Sequence, residues 1–180
     1  MKTKLLTLLI VLTFGLDCSD DSDDVINDPV DNNPPDVNPP VALTDEELLD
    51  LVQEKTFDYF YGFGHPTSGM ARERLKDLET VTTGGSGFGL MALIVGAERG
   101  WITRAEAVER WTKIIDFLTQ ADRFHGAWPH WMQGRTGETI PFSAQDNGAD
   151  LVETSFMAQG LITVRQYLDP EDANEKALID

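Results

Sequence analysis

Apolar residues recur along this chain at steps of three and four, the period of an α-helix rather than of a strand. The first run opens at Thr44-Asp-Glu-Glu47, a capping box, and carries Leu48, Leu51, Val52, Phe57, Phe60 and Tyr61 before Gly62 and Gly64 stop it. The second, from Leu90 to Ala97, is apolar on nearly every side, as expected for a helix buried all round. The third begins at another capping box, Thr103 to Glu106, and alternates Val108, Trp111, Ile114, Ile115 and Leu118 with Glu109, Arg110, Lys113 and Asp116. That helix faces water on one side. A fourth stripe runs through Met157, Leu161 and Val164. The pattern predicts helices over about 44–61, 87–99, 103–120 and 149–168, with another helix starting near Pro170.

No run shows strand alternation for more than a few residues, so the expectation is an all-α domain with no sheet of note. Helices with one wet face alternate with helices that have none, and long loops of Gly and aromatics separate them. Paired outer and inner helices of this kind predict helix-hairpin repeats of an α/α toroid. Four or five helices cannot close such a ring, so residues 44–180 read as an incomplete domain. The loop from about 122 to 148 is too long and too aromatic to be a mere connection.

The chain has 180 residues, and its first part does not belong to this core. Lys2 and Lys4 precede an apolar run from Leu5 to Leu16, short for a membrane span and right for a signal peptide over residues 1–17. Cys18, the sole cysteine, follows directly and excludes an intrachain disulfide. Its position suggests a lipidated bacterial lipoprotein of the cell envelope, outer-membrane, surface-exposed or periplasmic, although Asp17 stands where a small residue is usual. An ordinary secretory signal is the alternative. Residues 18–43 are rich in Asp, Asn and Pro, with too few apolar groups to offset their ordering entropy, and read as a disordered acidic tether. Between Asp17 and Glu54 there are 13 acids and no Lys or Arg, so much of the net charge of −17 is local. That sign argues against nucleic acid as a partner.

Asp146, Asp150 and Glu153 lie at helical spacing on the stripe that continues as Met157, Leu161 and Val164. Acids near a helix start serve as caps and complement the helix dipole. Three on the core-facing stripe also suit a polar cavity, and clustered carboxylates in a cavity are what glycoside hydrolysis needs. Asp150 and Glu153 repel each other at this spacing, so one of them is expected to have a raised pKa, suited to a general acid. Trp128, His130 and Trp131 precede the acids and could stack on or hydrogen-bond a sugar, or seal the core. His65 is a weaker candidate of the same kind. No His pair at helical spacing and no cysteine ligand set points to zinc, and Asp146 and Asp150 lack the EF-hand pattern, so neither a metal nor a cofactor is expected. The Gly-rich stretch 84–89 lacks the Lys-Ser/Thr of a phosphate loop. Its glycines read as allowing tight loop-to-helix packing or close approach of a ligand to the backbone. Gly85-Ser86-Gly87 lacks the strand–turn–helix context of an esterase elbow.

Three separated segments, 81–93, 126–131 and 146–156, resemble in order the glucoamylase-like proteins of glycoside hydrolase family 144, the endo-β-1,2-glucanases and related hydrolases. The resemblance covers roughly residues 44–178. It implies the N-terminal portion of an (α/α)6 barrel, inverting hydrolysis of a β-1,2-linked glucan, and catalytic roles for Asp146, Asp150 and Glu153. The remaining cleft residues of that family would lie beyond Asp180. A sugar-binding surface lipoprotein without catalysis, or an inactive fragment, is the alternative.

Overall fold

The computed structural model describes residues 43–179. The signal peptide, Cys18 and nearly all of the tether expected from the sequence lie outside the described residues.

Five helices dominate: α1 (Asp45–Phe60), α2 (Thr83–Glu98), α3 (Arg104–Gln120), α4 (Leu151–Tyr167) and α5 (Ala173–Ile179). Both capping boxes form. Thr44 Oγ1 accepts from the Glu47 N–H at 3.3 Å while the Glu47 carboxylate accepts from the Thr44 N–H at 2.8 Å. Thr103 and Glu106 repeat the exchange at 3.2 and 2.7 Å. The Arg104 guanidinium grips the buried Glu175 carboxylate in a bidentate pair, fastening α5 to the start of α3.

The core lies between α2, α3 and α4. Leu90, Leu93, Trp111, Ile114, Leu118, Met157 and Val164 meet there, and the Trp111 indole N–H donates to the Leu90 carbonyl. Helices α2 and α4 touch backbone to backbone. A Cβ on Gly87 would strike the Phe156 carbonyl, and one on Gly160 would strike the Gly87 carbonyl. The Gly-rich stretch is therefore part of α2 and packs helix on helix, where the sequence reads as a loop packed on a helix.

The expectation of no sheet is wrong. Strands β1 (Arg72–Arg74), β2 (Asp77–Thr82), β3 (Trp131–Gln133) and β4 (Thr139–Ile140) form one antiparallel sheet in the order β1-β2-β3-β4. All are two to six residues long, too short to show alternation, and they sit inside stretches that read as loops. The sheet fixes the aromatic loop: Thr82 pairs with Trp131 and Val81 with Met132, which carries residues 128–131 past the start of α2.

Burial also departs from the pattern. Leu48, Leu49, Leu51 and Val52 on α1 are exposed, as are Phe88 and Val95 on α2 and Leu151, Val152, Phe156 and Ile162 on α4. Helices that read as buried all round thus present apolar side chains outward.

Candidate active site

Residues 128–130 thread between the first turns of two helices. The Thr83 N–H and hydroxyl, at the start of α2, donate to the His130 and Pro129 carbonyls at 3.1 and 2.5 Å. From the start of α4, the Asp150 N–H and the Thr154 hydroxyl both reach the Trp128 carbonyl, at 2.9 and 3.2 Å. His130 is therefore delivered to the place where two helix N-termini converge, a region of positive dipole that favours anions.

Three carboxylates surround its ring. Nδ1 lies 2.9 Å from Asp150 Oδ2 and 3.9 Å from Asp146 Oδ2, and Nε2 lies 4.0 Å from Glu153 Oε1. The acids are not equivalent. Asp150 is the N-cap of α4, its Oδ1 accepting from the Val152 and Glu153 N–H groups at 2.8 and 3.0 Å. Burial pushes its carboxyl up, but these backbone donors and His130 outweigh that and hold it below its usual range. Asp150 is therefore not the member of the pair with the raised pKa. Ionised, it accepts from a protonated Nδ1, which leaves Nε2 facing Glu153.

Glu153 crosses to the other helix. Its Oε2 accepts from the Gly84 N–H at 2.8 Å, at the first turn of α2, with the Thr82 hydroxyl at 3.3 Å. A Cβ at Gly84 would lie 2.6 Å from that oxygen, so the glycine makes room for the carboxylate.

Asp146 sits four residues before the cap, in the loop ahead of α4 rather than on the helix face where spacing placed it. Its backbone closes a small turn: the Phe142 and Ser143 N–H groups donate to its carbonyl, and its own N–H donates to Ser143 Oγ. Among the described residues its carboxylate accepts no hydrogen bond shorter than the 3.9 Å approach to His130, and the side chain is 30% exposed against 17% for Asp150 and 16% for Glu153. Oxygens of Asp146 and Asp150 and a His130 nitrogen lie within 4.8 Å of one another, a spacing that could hold a cation. The short His130–Asp150 hydrogen bond already satisfies two of the three groups.

The aromatic candidates part company. Trp131 is half-buried beside His130, with ring centroids 5.4 Å apart. Trp128 turns toward the core, its indole donating to the Leu118 carbonyl at 3.3 Å, in keeping with the sealing reading. His65 is 1% exposed, and its Nδ1 faces the Thr67 and Ser68 N–H groups at 3.3 and 3.4 Å. Expected at the substrate, it instead organises its own turn. Its nearest acid, Glu79, lies three residues along β2 from Thr82, about 10 Å at strand rise. Burial lowers the His65 pKa against the opposing pull of Glu79, which lies 3.7 Å from Nε2 and also pairs with Arg135. Phe142, which the sequence reading passed over, completes the cluster: its ring stacks on His130 at 4.2 Å and 25° and lies 4.8 Å from Trp131. Only its position four residues before the first acid could have marked it.

No protein-family model matches the chain. It is 51% identical over 138 residues to an exo β-1,2-glucooligosaccharide sophorohydrolase of Parabacteroides distasonis, covering 76% of the chain and 19% of that protein. Among solved structures it superposes on an endo-β-1,2-glucanase of Chitinophaga pinensis, in complex with sophorotriose and glucose, with a TM-score of 0.74 and 53% identity. That match covers 77% of the chain and 35% of the glucanase. A β-1,2-glucanase of Parabacteroides distasonis gives a TM-score of 0.73 at 51% identity, over 77% of the chain and 20% of the relative. The chain thus spans between a fifth and about a third of these relatives.

Proposed function

We propose that the chain is a partial-length relative of the β-1,2-glucanases and that its acidic cluster is one wall of a β-1,2-glucan hydrolase site. The observation that carries this reading is the convergence of Asp146, Asp150 and Glu153 on the His130 ring. Helices α1 to α4 then belong to an (α/α)6 toroid, and the outward apolar faces of α2 and α4 are where its further helices pack.

Within the cluster we assign Asp146 to the substrate. Asp150 and Glu153 each accept from backbone N–H groups, and the His130 ring lies between them. An inverting hydrolase sets its acid and base roughly 6.5–9.5 Å apart to admit a water. Asp146 and Asp150 stand closer than that. They therefore act on one side of the glycosidic bond, and the opposing carboxylate comes from another part of the complete site. Endo-type cleavage with inversion follows the family resemblance.

The test is reducing-sugar release from β-1,2-glucan. In the complete enzyme Asp146→Asn, Asp150→Asn and Glu153→Gln should each lower the rate by about 10²–10⁴-fold, the usual worth of acid–base groups, with the helices intact. Near-normal rates in all three would reduce the cluster to a structural cap. A second reading, sugar binding without hydrolysis, is favoured by the saturation of Asp150 and Glu153. It predicts glucan binding with no new reducing ends.

The N-terminal assignment stands as a proposal beside this one: a lipoprotein anchored through Cys18 at the cell envelope, with the acidic stretch as its tether.

A further inference from the structure

Phe142 is 49% exposed, yet its ring is fixed. One face lies on His130 at 4.2 Å and 25°, and Trp131 closes one side at 4.8 Å. Trp131 in turn lies beneath the Arg74 guanidinium at 5.9 Å, which backs it from β1. The backbone holds Phe142 as well, through its N–H to the Asp146 carbonyl at 2.9 Å. Large apolar groups left exposed singly are ordinary. An exposed ring stacked on the hub of an acidic cluster, and hydrogen-bonded through its backbone to the main-chain carbonyl of Asp146, is a different case.

We propose that Phe142 is a sugar-stacking residue. Its open face, backed by His130 and Trp131, forms a shelf for one glucosyl ring beside Asp146. The ligand class is a β-linked glucooligosaccharide, whose axial C–H groups give the ring an apolar face to lay on an aromatic. The turn from 142 to 146 couples the two functions: the residue that seats the sugar and the acid that meets it are ends of one hydrogen-bonded loop. This inference rests on the hydrolase-site reading above and extends it to a substrate-positioning residue.

The test is a calorimetric titration of the chain with a β-1,2-linked glucotriose, using the unmodified protein, Phe142→Tyr and Phe142→Leu. Leucine keeps apolar bulk against His130 but has no ring face, whereas tyrosine keeps the face. The expected result is a Kd about tenfold weaker for Phe142→Leu, equivalent to about 1.4 kcal/mol, with Phe142→Tyr close to the unmodified protein and all three melting alike. Binding by the unmodified chain together with equal binding by Phe142→Leu would remove the shelf and leave the hydrolase-site reading standing. No uptake of glucotriose by the unmodified chain would also remove the shelf, whereas the hydrolase-site reading falls only with the reducing-sugar assay above.

Discussion

Asp150 links the fold to the chemistry through a single side chain: one carboxylate oxygen caps α4 and the other holds His130. Its pKa is depressed on folding, so its contribution to stability is present above the ordinary carboxylate value of about 3.9 and is lost as pH falls through the lower, folded value. Asp150→Asn keeps a capping oxygen but not the charge. Its stability should therefore fall less steeply on the acid side than that of the parent, as followed by thermal melts from about pH 7 down to about pH 3. Asp150→Ala also removes the cap and should cost about 1 kcal/mol at neutral pH. An identical acid-side slope for Asp150→Asn would show that the charge does not contribute. Gly84 offers a second test at this scale. Gly84→Ala gains roughly 0.5–1 kcal/mol of intrinsic helix preference, but the new methyl occupies the Glu153 carboxylate position. Unchanged or raised stability with at least about tenfold less glucan cleavage in the complete enzyme is the expected pairing. Full activity would mean that Glu153 can be relocated without harm.

Among the elements, the four long helices could be read from their apolar stripes, and α1 and α3 also from their Thr-x-x-Glu starts, because both signals report local physics. The start of α4 could not. A spacing of four from Asp146 to Asp150 is the same on a helix or across a loop that closes on its own N-cap, and only the hydrogen bonds to Asp150 Oδ1 show where the helix begins. The sheet was hidden for a related reason: β3 and β4 are three and two residues long, β3 depends on pairing with β2 some 50 positions away, and β4 pairs in turn with β3. His65 misled because a buried and a ligand-binding imidazole look alike in a sequence. The glycines of α2 were legible as a place of close packing, but that the packing is helix on helix is shown only by the contact with α4. Gly160→Val would force these helices apart. It should destabilise by the upper end of the roughly 1–3 kcal/mol typical of overpacking, because carbonyls rather than movable side chains are in the way. A loss below about 0.5 kcal/mol in urea denaturation would contradict the backbone contact.

Over the described unit as a whole, the outward apolar side chains set the expected solution behaviour. Leu151 is 78% exposed and Ile162 60%, with Val152, Phe156 and Phe88 nearby in sequence or across the helix pair. Patches of this kind promote association. The isolated chain should self-associate with concentration in sedimentation velocity, and Val152→Lys with Ile162→Lys should suppress this while leaving the Asp150 cap in place. A strictly monomeric parent over a broad concentration range would show that the face is tolerated bare. The membrane proposal has its own check: Cys18→Ser should move the protein from the membrane to the soluble fraction, and an unchanged distribution would favour plain secretion.

The hydrogen bond from the Gly84 N–H to Glu153 joins residues 69 positions apart. During synthesis the N-terminus of α2 therefore leaves the ribosome long before the group that completes it exists. Until Glu153 arrives, the amide is exposed to solvent and exchanges its proton freely. Once α4 docks, exchange requires that helix to swing away. The Gly84 amide is thus a built-in clock for the last step in assembling the acidic cluster, and its deuterium uptake measures how often the finished cluster comes apart.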